Sequence, residues 1–249
     1  MNGQERNFMK LTSGIKDLAL TTNGNGASDP YHAVLLVDED GLTLVDAGLP
    51  GMYEQIVQRV EAAGLDASQI KRILFTHQDL DHIGTLPQLL EHLPEAEIWA
   101  HRDEQPYLEG KLPHIKITPS RLESMPPQQR EAAQRMLDAL VPGRVTRVLE
   151  HGEKLPLQGG MIVLHTPGHT PGHISLYVPE EKLLIAGDAL RVVDGELAGP
   201  AEAFTPDMKR ALQSLEQLLE LEIDRVFCYH GGMYEGNVHG ALRQIMTRS

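Results

Sequence analysis

The sequence predicts an α/β fold in which two sheets pack face to face with helices on their outer sides. Three observations predict it. Through the first half, apolar runs of strand length alternate with helical periodicity, the pattern of layered strands and helices. The second half opens with short strands at hairpin spacing and closes with an amphipathic helix, a strand and a last helix, so both halves follow one plan. Hydrophobic residues make up 41% and aromatic residues only 4%, so aliphatic side chains must fill the core.

In chain order, residues 8–20 alternate loosely and are read as one or two edge strands, followed by the turn-rich Thr22-Asn23-Gly24-Asn25-Gly26. Apolar runs at 31–37 and 42–45 flank Asp38-Glu39-Asp40-Gly41, a hairpin signal. Asp46 ends the second run. Capping of the next turn is its plain reading, with support of a metal site as the alternative. A helix is expected over about residues 52–63, with Ile56, Val57 and Val60 on one face and Gly64 as its stop. A buried strand over 71–75, a helix over about 83–92 and a short strand at 98–100 follow.

From 102 to about 144 the pattern changes. Pro106, Pro113, Pro119, Pro126 and Pro127 cluster there, and the one long periodic segment is a helix over about 128–140. This stretch is too poor in apolar runs for a core of its own, so residues 1–249 are read as a single domain with a helical insertion at about 102–144, a lid or a dimer contact. Strands near 145–149, 161–165, 175–178 and 183–186 read as a meander. A helix over about 206–221 aligns Leu212, Leu215, Leu218 and Leu219, before a strand at 225–229 and a helix over about 238–246.

Charge and composition exclude several function classes. The formal net charge of −13 repels phosphate backbones and argues against nucleic acid as partner. A single cysteine, Cys228, rules out an intrachain disulfide and a cysteine-rich zinc knuckle, and fits a reducing compartment. The N-terminus shows no secretory pattern, and no run approaches the roughly 18 apolar residues of a membrane span. A cytoplasmic protein acting on a small molecule is expected, with no membrane or nucleic-acid partner and a homodimer left open.

The chemistry concentrates in Thr76-His77-Gln78-Asp79-Leu80-Asp81-His82, where four potential metal ligands occupy six positions after a buried strand. Three more strand ends carry ligand types. His165, His169 and His173 are spaced four apart, but the Pro-Gly pairs between them forbid a helix, so each points its own way and one is expected as a direct ligand. Asp188 ends the run Leu184-Ile185-Ala186-Gly187, and His230 ends Val226-Phe227-Cys228-Tyr229. Each alone is an ordinary cap or core histidine; together they place a ligand type at the end of one apolar strand after another.

With these motifs in this order, the chain resembles the metallo-β-lactamase-fold hydrolases in their glyoxalase II-like branch, over about residues 31–230. The resemblance implies a four-layer αββα sandwich with a two-metal site between the sheets. By position, His77, Asp79 and His169 would hold the first metal, Asp81, His82 and His230 the second, and Asp188 would bridge both. His165 and His173 fall outside the ligand positions and take supporting roles. The family commonly has a second histidine where this chain has Asp79. Three carboxylates, two divalent ions and a bridging hydroxide then sum to neutrality rather than to one positive charge. Zinc is the first expectation for the ions, with Mn²⁺ or Fe²⁺ favoured relatively by the extra oxygen ligand.

The resemblance also implies the reaction. A metal-bridging hydroxide, oriented by Asp81, would attack an ester, thioester or lactone. The alternatives are an iron-dependent oxidative enzyme of the same fold, resembling persulfide dioxygenases, and a phosphoester hydrolase. Glyoxalase II-type enzymes carry a further helical portion for glutathione, whereas this sequence ends soon after His230, and family lactonases place a tyrosine where Ala189, Leu190 and Arg191 stand here. The acyl donor therefore stays open. Lys111, Lys116 and Arg191 are read as solvated, with contact to an anionic substrate as the alternative.

Overall fold

The computed structural model describes residues 14–22 and 30–247. Its first part holds β1 (Ile15–Leu20), β2 (Tyr31–Asp38), β3 (Gly41–Val45), α1 (Tyr53–Ala62), β4 (Ile70–Leu74), α2 (Leu80–Ile83), α3 (Leu86–His92) and β5 (Glu97–His101). Helices α4 (Gln105–Leu108), α5 (Pro119–Ser124) and α6 (Pro127–Asp138) lead to β6 (Arg147–Leu149). Then follow β7 (Lys154–Leu155), β8 (Met161–His165), β9 (Ile174–Val178), β10 (Leu183–Gly187), β11 (Arg191–Val193) and β12 (Glu196–Ala198). The chain closes with α7 (Met208–Ser214), β13 (Arg225–Cys228), β14 (Gly232–Glu235) and α8 (Val238–Thr247).

Two six-stranded sheets form, in the orders β1-β2-β3-β4-β5-β6 and β14-β13-β10-β9-β8-β7. Strand alternation explains why they stack. In β2, Ala33 and Leu35 face an outer core that also holds Ile56 and Val60 of α1 and Leu86 and Leu89 of α3. Val34 and Leu36 face the opposite way, into a central core with Leu74, Trp99, Val163, Leu176, Ile185 and Phe227 from both sheets. In β10, Leu184 and Ala186 meet a third core that includes Leu215 and Leu242. Three cores separating helices, sheet, sheet and helices make the αββα sandwich, the central strands each feeding two cores because successive side chains point to opposite faces.

The two sheets are tied together by main-chain bonds at one end. His32 N donates to Tyr229 O at 2.9 Å and Ile174 N to Thr76 O at 3.0 Å, next to an isolated bridge between Tyr31 and His230. The parallel pairs β3–β4 and β10–β13 deliver their C-terminal ends there.

Several boundaries differ from the sequence reading. The helix expected over 83–92 is two, α2 and α3, broken at Gly84 and Thr85. Pro87 at the start of α3 has no N–H to continue a ladder. Gly84 also lies against the loop before α1: its N–H donates to Gly48 O at 2.9 Å, and a Cβ there would meet Pro50 N at 2.3 Å. The helix expected over 206–221 continues past Leu215 only as a tighter 3₁₀ segment, Glu216–Glu220. The strand read as opening the second-half meander is β6, which instead runs parallel to β5 in the first sheet. A parallel neighbour needs a long crossover, and the insertion supplies it. Of the expected N-terminal strands, β1 is present at a sheet edge, while residues 8–13, and the loop residues 23–29, lie outside the described residues. No described helix is long and apolar enough to cross a membrane.

Candidate metal centre

Every residue named above as a ligand arrives at the tied end of the sandwich. His77 leaves β4, Asp79 stands just before α2, and Asp81 and His82 lie in its single turn, so helix begins a few residues before the expected 83. His169 sits in the loop between β8 and β9, Asp188 follows β10 and His230 follows β13. Two groups result: His77, Asp79, His169 and Asp188, and beside it Asp81, His82 and His230, the donor atoms of each lying within 4.8 Å of one another.

Asp188 joins them. Its Oδ2 lies 3.3 Å from His169 Nε2, 3.4 Å from His230 Nε2 and 4.0 Å from His77 Nε2, and its Oδ1 lies 3.2 Å from His82 Nε2. Asp79 Oδ2 lies 3.3 Å from His77 Nε2 and 3.0 Å from His169 Nε2, and Asp81 Oδ2 lies 3.3 Å from His230 Nε2. Such separations are close to the ~3.4 Å edge of a tetrahedron with bonds of about 2.1 Å.

Local bonds set which ring nitrogen faces the centre. Thr76 donates its hydroxyl to Asp46 Oδ2 at 2.7 Å and so accepts from His77 Nδ1 at 3.0 Å. His82 Nδ1 donates to the same Asp46 oxygen at 2.9 Å. Thr205 gives its proton to Ala201 O at 2.8 Å and accepts from His169 Nδ1 at 3.2 Å. In all three rings Nδ1 is spoken for and Nε2 is presented inward. Asp46, held at φ 58°, thus orients His77 and His82 and makes no side-chain cap for α1, whose cap position is Met52. His173 bonds Thr166 through Nδ1 and accepts from Asp188 N–H at 2.9 Å, so it positions the shared carboxylate. Gly187 is required there, because a Cβ would meet His173 Nε2 at 2.7 Å.

The electrostatics call for positive charge at this point. His77 is wholly buried and pushed down to about 4 by that burial and by His82. Burial lowers His82 too, yet Asp46, Asp188 and Asp81 together hold it well above its usual value. Burial would raise Asp79, but His77, His169 and Lys116 hold it well below. Likewise Asp188, between His82 and His230, stays well below the usual range despite burial. His77 Nε2, His82 Nε2, Asp79 Oδ1 and Asp188 Oδ1 are buried without a hydrogen-bond partner. Orphaned atoms in both donor groups are what bound cations would satisfy, and imidazole with carboxylate is a donor set for divalent transition metals. The residues fit the metal.

Residues invisible in the sequence complete the surroundings. Glu104 is wholly buried and accepts from Gln78 N–H (2.9 Å), Gln78 Nε2 (3.0 Å), Gly172 N–H (2.8 Å) and Thr170 Oγ1 (3.1 Å), clamping the His77–Asp79 loop to the His169 loop. Nothing in its sequence context marks it, since its partners come together only on folding. Tyr229 lays its ring 3.8 Å from that of His82 and donates its hydroxyl to Asp81 O. Of the three basic residues weighed for an anionic ligand, Lys116 reaches the centre, donating to Asp79 Oδ2, whereas Lys111 pairs with Glu109 and Arg191 bonds Gly199 O. A cleft of ≈ 100 Å³ opens beside it, lined by Asp79, Asp81, Lys116, Ile117, Arg121 and Phe204. Insertion residues therefore form one wall of the site.

His165 stays away from the centre, stacked at 3.9 Å on His101 near Asp103. Its Nε2 donates to Pro171 O at 2.9 Å and His101 Nδ1 accepts from Asp103 N–H at 3.2 Å. The nitrogens that would face an ion there are already used.

Glu104 yields a pH prediction. Burial pushes its carboxyl up to about 7 from 4.5, against four donors that favour the ionised form. Between those values the folded chain holds a proton that the unfolded chain has lost. Its contribution is therefore full below pH 4.5 and is lost as pH rises through about 7, by at most ~3 kcal/mol. Urea unfolding at pH 5 and pH 7.5 should show this loss in the parent chain and a flatter response in Glu104→Gln. Equal responses would refute the assignment.

The profile of the Metallo-beta-lactamase superfamily matches residues 28–230. A probable metallo-hydrolase of Bacillus subtilis, YflN, is 32% identical over 236 residues, covering 88% of this chain and 86% of its own. The hydroxyacylglutathione hydrolase GloC of Haemophilus influenzae is 34% identical over 154 residues, covering 61% of this chain and 63% of its own. A solved metallo-beta-lactamase family protein from Thermus thermophilus superposes with a TM-score of 0.73 at 24% identity, over 96% of this chain and 80% of that one, and shares the fold.

Proposed function

The chain belongs to the metallo-beta-lactamase superfamily, and we propose that it is a metal-dependent hydrolase that cleaves an ester, thioester or lactone bond in a small molecule. The observation that carries this reading is the pair of donor groups lying on either side of the Asp188 carboxylate. His77, Asp79, His169 and Asp188 would hold one divalent ion, and Asp81, His82, His230 and Asp188 the other, with zinc the first choice and Mn²⁺ or Fe²⁺ next. When bound, such ions lower the pKa of water and polarise a carbonyl oxygen.

The chain's own residues do the rest. Asp46 and Thr76 hold His77 and His82 in the required tautomers. Asp81, fixed from behind by Tyr229, presents a carboxylate that orients the attacking water. The wall of Lys116, Ile117 and Arg121 narrows the cleft and limits entry of bulk solvent. The likeness to a hydroxyacylglutathione hydrolase favours a thioester within this class. An aryl ester, thioester and lactone panel, run on zinc-, manganese- and iron-loaded protein, tests the reading. Turnover that disappears in Asp81→Ala is expected. No hydrolysis with any metal, alongside oxygen uptake on a persulfide, would replace it with oxidative chemistry.

A further inference from the structure

We propose that Lys116 competes with one of the two divalent ions for its donors, so that the centre takes metal in two unequal steps. The step at Asp81, His82, His230 and Asp188 is the tighter, and the step at His77, Asp79, His169 and Asp188 the weaker. This rests on the metal-binding reading above.

The ammonium and the ion compete for the same atoms. Lys116 Nζ donates to Asp79 Oδ2 and lies 2.8 Å from His169 Nε2. Because His169 Nδ1 gives its proton to Thr205, Nε2 carries a single in-plane lone pair. That lone pair can accept from an ammonium or bind an ion, and it cannot do both. Asp79 Oδ2 is likewise the oxygen that faces His77 and His169. The ammonium therefore engages two of the donors of one half-site, through charge-assisted bonds that are about twice as strong as neutral ones.

Lys116 is not a stray surface group. Its side chain is 14% exposed. Its own N–H and that of Ile117 donate to His114 Nδ1 at 3.2 and 3.0 Å, and His114 Nε2 bonds Gln78 O at 2.7 Å. Ile115 N–H is held by Gln78 Oε1 at 3.1 Å. The loop bearing the lysine is thus fastened to the residue between His77 and Asp79. At the other half-site, the ion pairs of Asp81 and Asp188 among the described residues are all to histidines that are themselves donors of the site, and no lysine or arginine occupies their oxygens.

Two measurements test this, neither of them activity. In the parent chain, pulse acetylation read by mass spectrometry should modify Lys116 several-fold faster when zinc is saturating, with Lys111 unchanged as an internal reference. Calorimetric zinc titration of Lys116→Met should show the weaker step tightening by about ten- to a hundredfold, the equivalent of one charge-assisted hydrogen bond, with the tighter step unchanged. A labelling rate indifferent to zinc, or two equal steps in the parent that the substitution leaves alone, would overturn the role of Lys116 while leaving a metal enzyme. No zinc binding by either protein would overturn the metal reading with it.

Discussion

Replacing Asp188 by asparagine is expected to lower kcat/KM by about a thousandfold, the upper range for removing one electrostatic element of an active site. The substitution keeps the shape of the side chain and removes its charge. It acts on the one carboxylate within 3.2 to 4.0 Å of the Nε2 atoms of His77, His82, His169 and His230. Either the two donor groups depend on it together or neither does. The account therefore predicts that bound metal falls at both half-sites, whereas His230→Ala should reduce it at one. The fold should survive, since Asp188 is anchored by its main chain to His173 and its neighbours Ala186 and Ala189 remain buried. Steady-state kinetics and metal content on the same preparation give the check. Near-parent activity in Asp188→Asn would refute the shared-carboxylate arrangement.

Removing metal with a chelator is expected to lower Tm by about 8–16 °C. Ions that bind the folded chain and not the unfolded one stabilise it by ~4 kcal/mol at a thousandfold excess over Kd, and about 2–4 °C per kcal/mol applies to a chain of this size. The physical source is visible in the centre. Asp79 and Asp188 are each 7% exposed, His77 and His82 fully buried, and four of their polar atoms lack partners. Without cations, three neighbouring carboxylates repel one another, and protons on His82 and His230 relieve this only in part. The shift of His230 gives the direction: against its burial, the opposite charges, Asp188 foremost, raise it to about 9. A scanning-calorimetry melt unmoved by chelation and by added zinc would contradict a cation-dependent centre.

The layers were legible because strand alternation is written directly in the chain: Ala33, Val34, Leu35 and Leu36 divide between two cores as their order requires. That the seven residues of the candidate centre come together was legible because each ends or closely follows an apolar run. The break between α2 and α3 could have been read from Gly84 and Pro87, and the β11–β12 hairpin from Asp194-Gly195, whose positive φ angles of 52° and 81° suit a tight turn. Other features had no local signal. Glu104 and Lys116 lie in a proline-rich stretch with no apolar periodicity, and only the crossover from β5 to β6 carries them back to the centre. Their roles are tertiary, and a residue pattern read along one segment does not contain them. Asp46 shows the intermediate case, where a carboxylate at a strand end fits a cap or a histidine partner equally until the position of His82 decides it.

The central claim is that these side chains form a centre for divalent ions, and the most direct measurement is metal content per chain after equilibrium dialysis against saturating zinc, read by mass spectrometry with Asp79→Ala beside the parent. The account predicts about two equivalents in the parent and about one in the variant. A folded parent chain that retains no metal, or a variant that retains as much as the parent, would contradict it.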